Sequence, residues 1–407
     1  MSRPFENIRI LDFSQVISGP YATELLALMG ADVIKFERPG GDESRTFCMN
    51  PELLAKGMGS SYLSLNAGKR SVALDLKKPE AIEIILKLVK NADVLVENFR
   101  PGAMDRLGLG YEALKKIKPD LIYCSITGYG QEGPEADSAA YDGAVQAASG
   151  IMSITGSPEG GPMRVGFPFS DVATGSASAL AIAGALFRKA GSGQGQYIDV
   201  AMIDASLSMM SPIIGYWLIG GVLPGQIGNM AWSRRPTSDM FKTKDDYLML
   251  VINRDDHFLK FCKTIGRPDL PDDPRFADWP LRTRYRTELQ AQITKALSAK
   301  SAADWESDMK EAGLAAARVN SLQDVLESPQ MAHRNLLLEL NGTVGLNKPI
   351  TVLNTPFKYQ NDPCGTSRPP PACGQHTDEI LTELDYSEEQ IEGMRKGQVI
   401  WELMKGK

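Results

Sequence analysis

The sequence predicts an α/β protein: a doubly wound, Rossmann-like large domain with a smaller α+β domain. Apolar β-type runs alternate with helical patterns through the first part of the chain. Strand, helix, strand in that rhythm argues for a parallel sheet covered by helices. Past residue 210 the texture changes to a Gly- and Pro-rich stretch, followed by a block patterned as a hairpin and helices. Ligands on such sheets bind at the carboxyl ends of the strands, so the loops that follow the strands are the first place to look.

Taken in order, "IRILDF" (8–13) reads as a strand, "GPYATELLALMGA" (19–31) as a helix and "DVIKFE" (32–37) as a strand. A third strand is "SVALDL" (71–76), and Pro79 then opens a helix. Its apolar face is expected at Ile82, Ile85, Leu86 and Val89, and a proline at the helix start is favourable. "DVLVENF" (93–99), a helix near 111–117 and "LIYCSI" (121–126) continue the alternation. Residues 1–210 are the expected first part of the large domain, 211–234 a linker and 235–325 the small α+β domain. The return linker and the remainder of the large domain follow at 326–407, with extended structure at 348–359, a Pro-rich loop at 367–371 and a final helical segment.

With 43% hydrophobic and 23% charged residues, the composition is that of an ordinary globular chain, so wholesale disorder is excluded. A formal net charge of -6 argues against nucleic acid as a main partner, since phosphate backbones need a dense basic face. It leaves room for a small phosphorylated ligand held by a few local cations. Five widely spaced cysteines without a C-x-x-C pair fit free thiols in a reducing compartment. The N-terminus runs almost directly into a strand, and no window holds eighteen uninterrupted apolar residues. A cytoplasmic protein without a membrane partner is the expectation.

Several motifs reduce to plain readings. "GSGQGQ" (191–196) has a helix before it and a strand after it, the reverse of a dinucleotide fingerprint, and reads as a helix-to-strand turn. His257, His333 and His376 lie far apart with no ligand spacing, so no metal site is expected. No Gly-x-Ser-x-Gly elbow is present. The stretch "RVGFPFSDVATGSASALAIAGALF" (164–187) is different, because Asp171 is its one ionisable residue after Arg164. An unpartnered buried carboxylate is costly or neutral. Either Asp171 caps a helix or it has chemistry to do, and a helix N-terminus favours an anion in both cases. Such a carboxylate is able to attack an acyl carbonyl and divide one hard step into two. Arg38 past a strand end, Lys77 and Lys78 in "LDLKKPE", and Asn98, Arg100 and Arg106 in "VENFRPGAMDR" put cations in several strand-end loops, as a polyphosphate ligand requires.

Together the stretches "LDFSQVISGPYATELLALMGADVIKFERPGGDESR", "NAGKRSVALDLKKPE", "DVLVENFRPGAMDRLGL", "LIYCSITGYGQEGP", "AAYDGAVQAASG", "GFPFSDVATG" and "GSGQGQYIDVAMIDA" resemble the family III CoA-transferases, in the family's order. The resemblance implies that Asp171 is the nucleophile. A donor acyl-CoA acylates it to an anhydride, CoA thiolate converts this to an aspartyl-CoA thioester, and the acceptor acid leaves as its CoA ester. Asp142 falls at a position where a Glu orients the nucleophile. The CoA contacts it implies are Val16, Ser18, Arg38, the run from Leu74 through Asp75 to Lys77, Asn98, Phe99, Arg106 and Met202. Of these, Arg38, Lys77 and Arg106 would meet the nucleotide phosphates. The partners implied are an acyl-CoA donor, such as succinyl-CoA or acetyl-CoA, and a carboxylic acid acceptor. No cofactor is bound permanently; the coenzyme A thioester is a substrate.

The resemblance further implies an interlocked homodimer, with a heteromer containing a sister subunit as the alternative. Ile17 stands where formyl-CoA transferase has Gln, and that enzyme's glycine-rich loop has no counterpart near 225–235. Both departures disfavour oxalate and formate and favour a larger or less polar acceptor. A 2-methylacyl-CoA racemase is the competing reading, but this chain has Tyr141-Asp142 where that group carries His-Asp, and two-base proton transfer then lacks a partner.

Overall fold

The computed structural model describes residues 3–361 and 363–401. Its largest sheet has six strands: β1 (Arg9–Asp12), β2 (Asp32–Glu37), β3 (Arg70–Ala73), β4 (Val94–Glu97), β5 (Ile122–Thr127) and β8 (Gln196–Ala201). All pairings are parallel and the order is β3-β2-β1-β4-β5-β8. That is the doubly wound order, with the strand direction of growth reversing between β1 and β4.

The register explains why the centres of these strands are rich in apolar residues. Ile10 pairs with Val33 and Val94, and Leu11 with Ile34 and Leu95. Ile10, Val33 and Val94 share one core with Leu26 and Ile182. Leu11, Ile34 and Leu95 share another with Ile84, Leu88, Ile380 and Ile391. Alternate side chains therefore enter helical layers on opposite faces.

The helix Pro79–Val89 buries Ala81, Ile84, Ile85, Leu88 and Val89. The expected face is therefore corrected by about one position: Ile82 and Leu86 lie at its edge, only partly buried. The chain returns late to this layer through Thr377–Glu383 and Glu388–Lys396, so the single final helical segment resolves into two helices. Trp401 N–H then donates to the Ala73 carbonyl at 3.0 Å. The 191–196 turn is as expected, with Gly193 at φ 68 ending the helix before β8.

The chain divides into two compact units, the large one comprising Met1–Ile151, Arg164–Leu223 and Ala332–Lys407. The second comprises Met152–Met163 and Pro224–Met331. This division differs from the expected one in two places. The expected linker carries a helix of the large unit, Ser211–Leu218. Residues 152–163 form a small hairpin, β6 (Gly156–Ser157) and β7 (Gly161–Pro162), inside the second unit. Gln226 Nε2 holds it by donating to the Thr155 carbonyl at 2.9 Å. A three-stranded antiparallel sheet lies in the second unit: β9 (Met240–Lys242), β10 (Tyr247–Leu250) and β11 (Ala316–Arg318). Helices around it enclose Phe258, Phe261, Phe276 and Trp305.

Candidate active site

Two loops meet where the sheet reverses: residues 14–17 after β1 and 98–101 after β4. The first is fixed at every step. Asp12 accepts from Ser14 N–H at 3.0 Å, and Lys35 Nζ donates to the Ser14 carbonyl at 2.8 Å. Asn98 then brackets Gln15, accepting from its N–H and donating to its carbonyl, both at 2.8 Å. Val16 N–H donates to Asp42 Oδ1 at 3.2 Å. Those bonds hold Val16 at φ 68, a left-handed conformation that a β-branched residue resists and that costs about 1–3 kcal/mol. Asn98, expected as a ligand contact, lines the cleft, and its amide also shapes the loop there.

The helix Phe169–Ser192 brings the nucleophile candidate to the same place. Asp171 is its third residue and half-buried. It does not cap its own helix. That role falls to Asp142, whose Oδ1 accepts from Ser170 N–H at 2.8 Å and Asp171 N–H at 3.4 Å. One turn after Asp171 on the same face lies Gly175, where a β-carbon would sit 2.6 Å from the Ser18 carbonyl. The missing side chain lets the helix Ser18–Leu28 approach closely enough for Ser18 to hydrogen-bond the Asp171 carboxyl. Gly19 serves the neighbouring turn, since a β-carbon there would overlap Ser14. Burial raises the Asp171 carboxyl and the negative charge of Asp142 raises it further, against the Ser18 bond, to about 6.

Asp171 and Asp142 line a cleft of about 250 Å³ together with Val16, Ser18, Asn98, Phe99 and Met202. An adjoining cavity of about 540 Å³ shares Gln15 and Phe99 with it and is lined by Arg38, Leu74, Asp75 and Lys77. Eleven of the twelve expected residues therefore fall in two neighbouring cavities. Arg106 lines neither. It is exposed on the short helix Ala103–Arg106, and a β-carbon on Gly102 would lie 3.2 Å from its Nη1. Ile17, expected to favour a less polar acceptor, does not line the cleft either. Arg100 does, although only its place in the loop had marked it. Gln146, wholly buried behind Asp142, carried no marking except its spacing of four residues. No histidine lines either cavity. Among the described residues no group of His, Cys, Asp or Glu is placed to hold a metal ion.

The carboxylate at the helix head thus lies in a cleft that adjoins a cavity lined by Arg38 and Lys77. Residues 5–377 match the family described as CoA-transferase family III, and the chain belongs to that family. It is 37% identical over 396 residues to a succinate–glutarate CoA-transferase of Agrobacterium fabrum, covering 95% of this chain and 96% of the relative. Identity to an acetyl-CoA:oxalate CoA-transferase of Acetobacter aceti is 40% over 352 residues, covering 86% and 89%. Among solved structures, a CAIB/BAIF family protein from Brucella suis superposes with a TM-score of 0.86 at 32% identity, covering 95% of this chain and all of that one. The enzyme is thus a CoA-transferase, and CoA thioesters are its substrates.

Proposed function

We propose that the enzyme moves CoA from a short acyl-CoA donor to a dicarboxylic acid through covalent intermediates on Asp171. The observation that carries the reading is the Asp171 carboxyl itself, at the helix head and facing the cleft that adjoins the Arg38–Lys77 cavity. The carboxylate attacks the thioester carbonyl and CoA thiolate leaves, giving a mixed anhydride. Thiolate then attacks the aspartyl carbonyl, releasing the donor acid and forming an aspartyl-CoA thioester. The acceptor carboxylate displaces CoA from that thioester as a second anhydride, and CoA attacks the acceptor's carbonyl, regenerating Asp171. The relatives named for glutarate and oxalate both act on dicarboxylic acids, which supports this acceptor class and a succinyl or acetyl donor. The absence of histidine from the cleft lining weighs against the racemase reading.

Incubation with succinyl-CoA and hydroxylamine is expected to inactivate the enzyme and leave a hydroxamate on the Asp171 peptide. Asp171→Asn should lose more than about a thousandfold in rate while unfolding at the parent temperature. Transfer at the parent rate in that variant would sink the reading. Because the carboxyl must be ionised to attack, kcat/KM should fall as pH drops through about 6. Asp142→Asn removes the charge that raises Asp171, so its acid limb should lie lower. A panel of succinyl- and acetyl-CoA against glutarate, oxalate and monocarboxylic acids identifies the acceptor. The large unit also exposes Leu180, Phe187, Trp217, Leu218, Ile219 and Leu223, which supports self-association as a homodimer, read by light scattering.

A further inference from the structure

Gln146 lies four residues after Asp142 on the helix Asp142–Ala148 and is fully buried. Its Nε2 donates to Asp142 Oδ2 at 2.7 Å and to the Phe167 carbonyl at 3.3 Å. Its Oε1 accepts from Val165 N–H at 2.9 Å. Two acceptors on one side and a donor on the other leave only one orientation of the amide that satisfies all three. The Asp142 carboxylate is thereby divided, one oxygen given to Gln146 and the other to the N–H groups of Ser170 and Asp171. Phe167 and Val165 belong to the segment that leads through Pro168 into the helix bearing Asp171, and Phe169 N–H also donates to the Phe167 carbonyl at 2.7 Å. A single amide therefore joins the acid that caps the nucleophile's helix to the backbone that feeds it.

We propose that Gln146 is a positioning residue of the transfer reaction, whose amide fixes Asp142 and the 165–167 segment and so sets where Asp171 meets the thioester. This rests on the assignment of Asp171 as nucleophile. An apolar side chain of the same length fills the space of Gln146 but strands the Asp142 oxygen, the Phe167 carbonyl and the Val165 N–H. A carboxylate of the same size places a negative group against Asp142 and adds to the charge that Asp171 feels.

The test uses the full chain with succinyl-CoA as the probe, comparing Gln146→Met and Gln146→Glu with the parent. For Gln146→Met, kcat should fall about 10- to 100-fold and the hydroxamate should form correspondingly slowly. KM for the thioester should stay within about threefold, since Arg38 and Lys77 lie on other elements. For Gln146→Glu, the acid limb of kcat/KM should move up by about one unit. A residue that only packs would lower the folded fraction and move neither the limb nor the rate per folded enzyme. Parent-like trapping in folded Gln146→Met, or an unmoved limb in Gln146→Glu, overturns the inference. Should Gln146→Met fail to fold, the limb of the isosteric Gln146→Glu decides alone. Absence of a hydroxamate in the parent overturns the nucleophile assignment and this inference with it, an outcome distinct from normal trapping in both parent and variant.

Discussion

Glu37 and Arg38 are chain neighbours at the end of β2, yet their charges have opposite fates. Glu37 is buried and bound twice by Arg45, with Nε to Oε2 and Nη2 to Oε1 both at 2.7 Å. Around it Lys69 meets Asp12 at 3.1 Å and Lys35 meets Asp42 at 2.9 Å, all four buried. Arg38 is exposed, and among the described residues its side chain makes one hydrogen bond, from Nε to the Gly41 carbonyl at 3.3 Å. Lys77, past the end of β3, is exposed and has no ion pair among the described residues that bears on it. The first set is buried and paired within itself, which holds the strand ends in place, and Glu37 and Asp42 line the larger cavity from that fixed position. The second is unsaturated beside a cavity, so its charge is available to a ligand's phosphates.

The sharpest break of this comparison removes one partner of a saturated pair. Burial alone would raise the Glu37 carboxyl, and Arg45 beside it holds it below its ordinary value. Glu37→Ala leaves the Arg45 guanidinium buried without its fork. Stability should drop by about 3–5 kcal/mol, read by denaturant unfolding. An unchanged unfolding midpoint would show that these ions are not the scaffold they are taken for.

Cations that were all equivalent letters in the sequence are thus sorted by the fold. Arg38 and Lys77 were legible because each follows a strand, and the strand ends were legible from apolar runs. The buried ion network was not, because Asp12, Lys35 and Lys69 lie far apart in sequence and only the parallel register brings them together. Asp171 stood out as a lone acid in an Ala-rich helix, whereas its cap came from Asp142, outside the local window. The hairpin 156–162 was hidden for the same reason: its partner Gln226 is distant along the chain. Local pattern marks strand-end chemistry; long-range saturation is invisible to it.

Arg38→Ala tests the unsaturated side. It should weaken CoA binding about tenfold, flatten its salt dependence and leave stability within about 0.5 kcal/mol. Arg106→Ala is the contrast within the same experiment. Lining neither cavity, Arg106 should give a binding change below about twofold. Equal losses at both positions would show that position along the strand-end loops matters more than cavity lining.

Glu24 belongs to neither set, and it sharpens the comparison most finely. It is buried beside Lys69, and among the described residues its carboxyl accepts one hydrogen bond, from Ala67 N–H at 3.1 Å. Lys69 spends its own bonds on Asp12, Thr23, Asn66 and the Pro20 carbonyl. Burial therefore prevails over the attraction of Lys69, and the Glu24 carboxyl is pushed up from 4.5 to about 8. The folded state keeps a proton that the unfolded chain releases near 4.5, so that proton's stabilisation is complete below 4.5 and is lost as pH rises toward 8. Gln in its place still accepts from Ala67 and has no proton to lose. Glu24→Gln should match the parent at pH 4.5 and exceed it at pH 8, where the parent holds a proton against the unfolded chain's tendency to release it. A variant less stable than the parent at pH 8 would mean that Glu24 is ionised and paired there, and belongs with the saturated set after all.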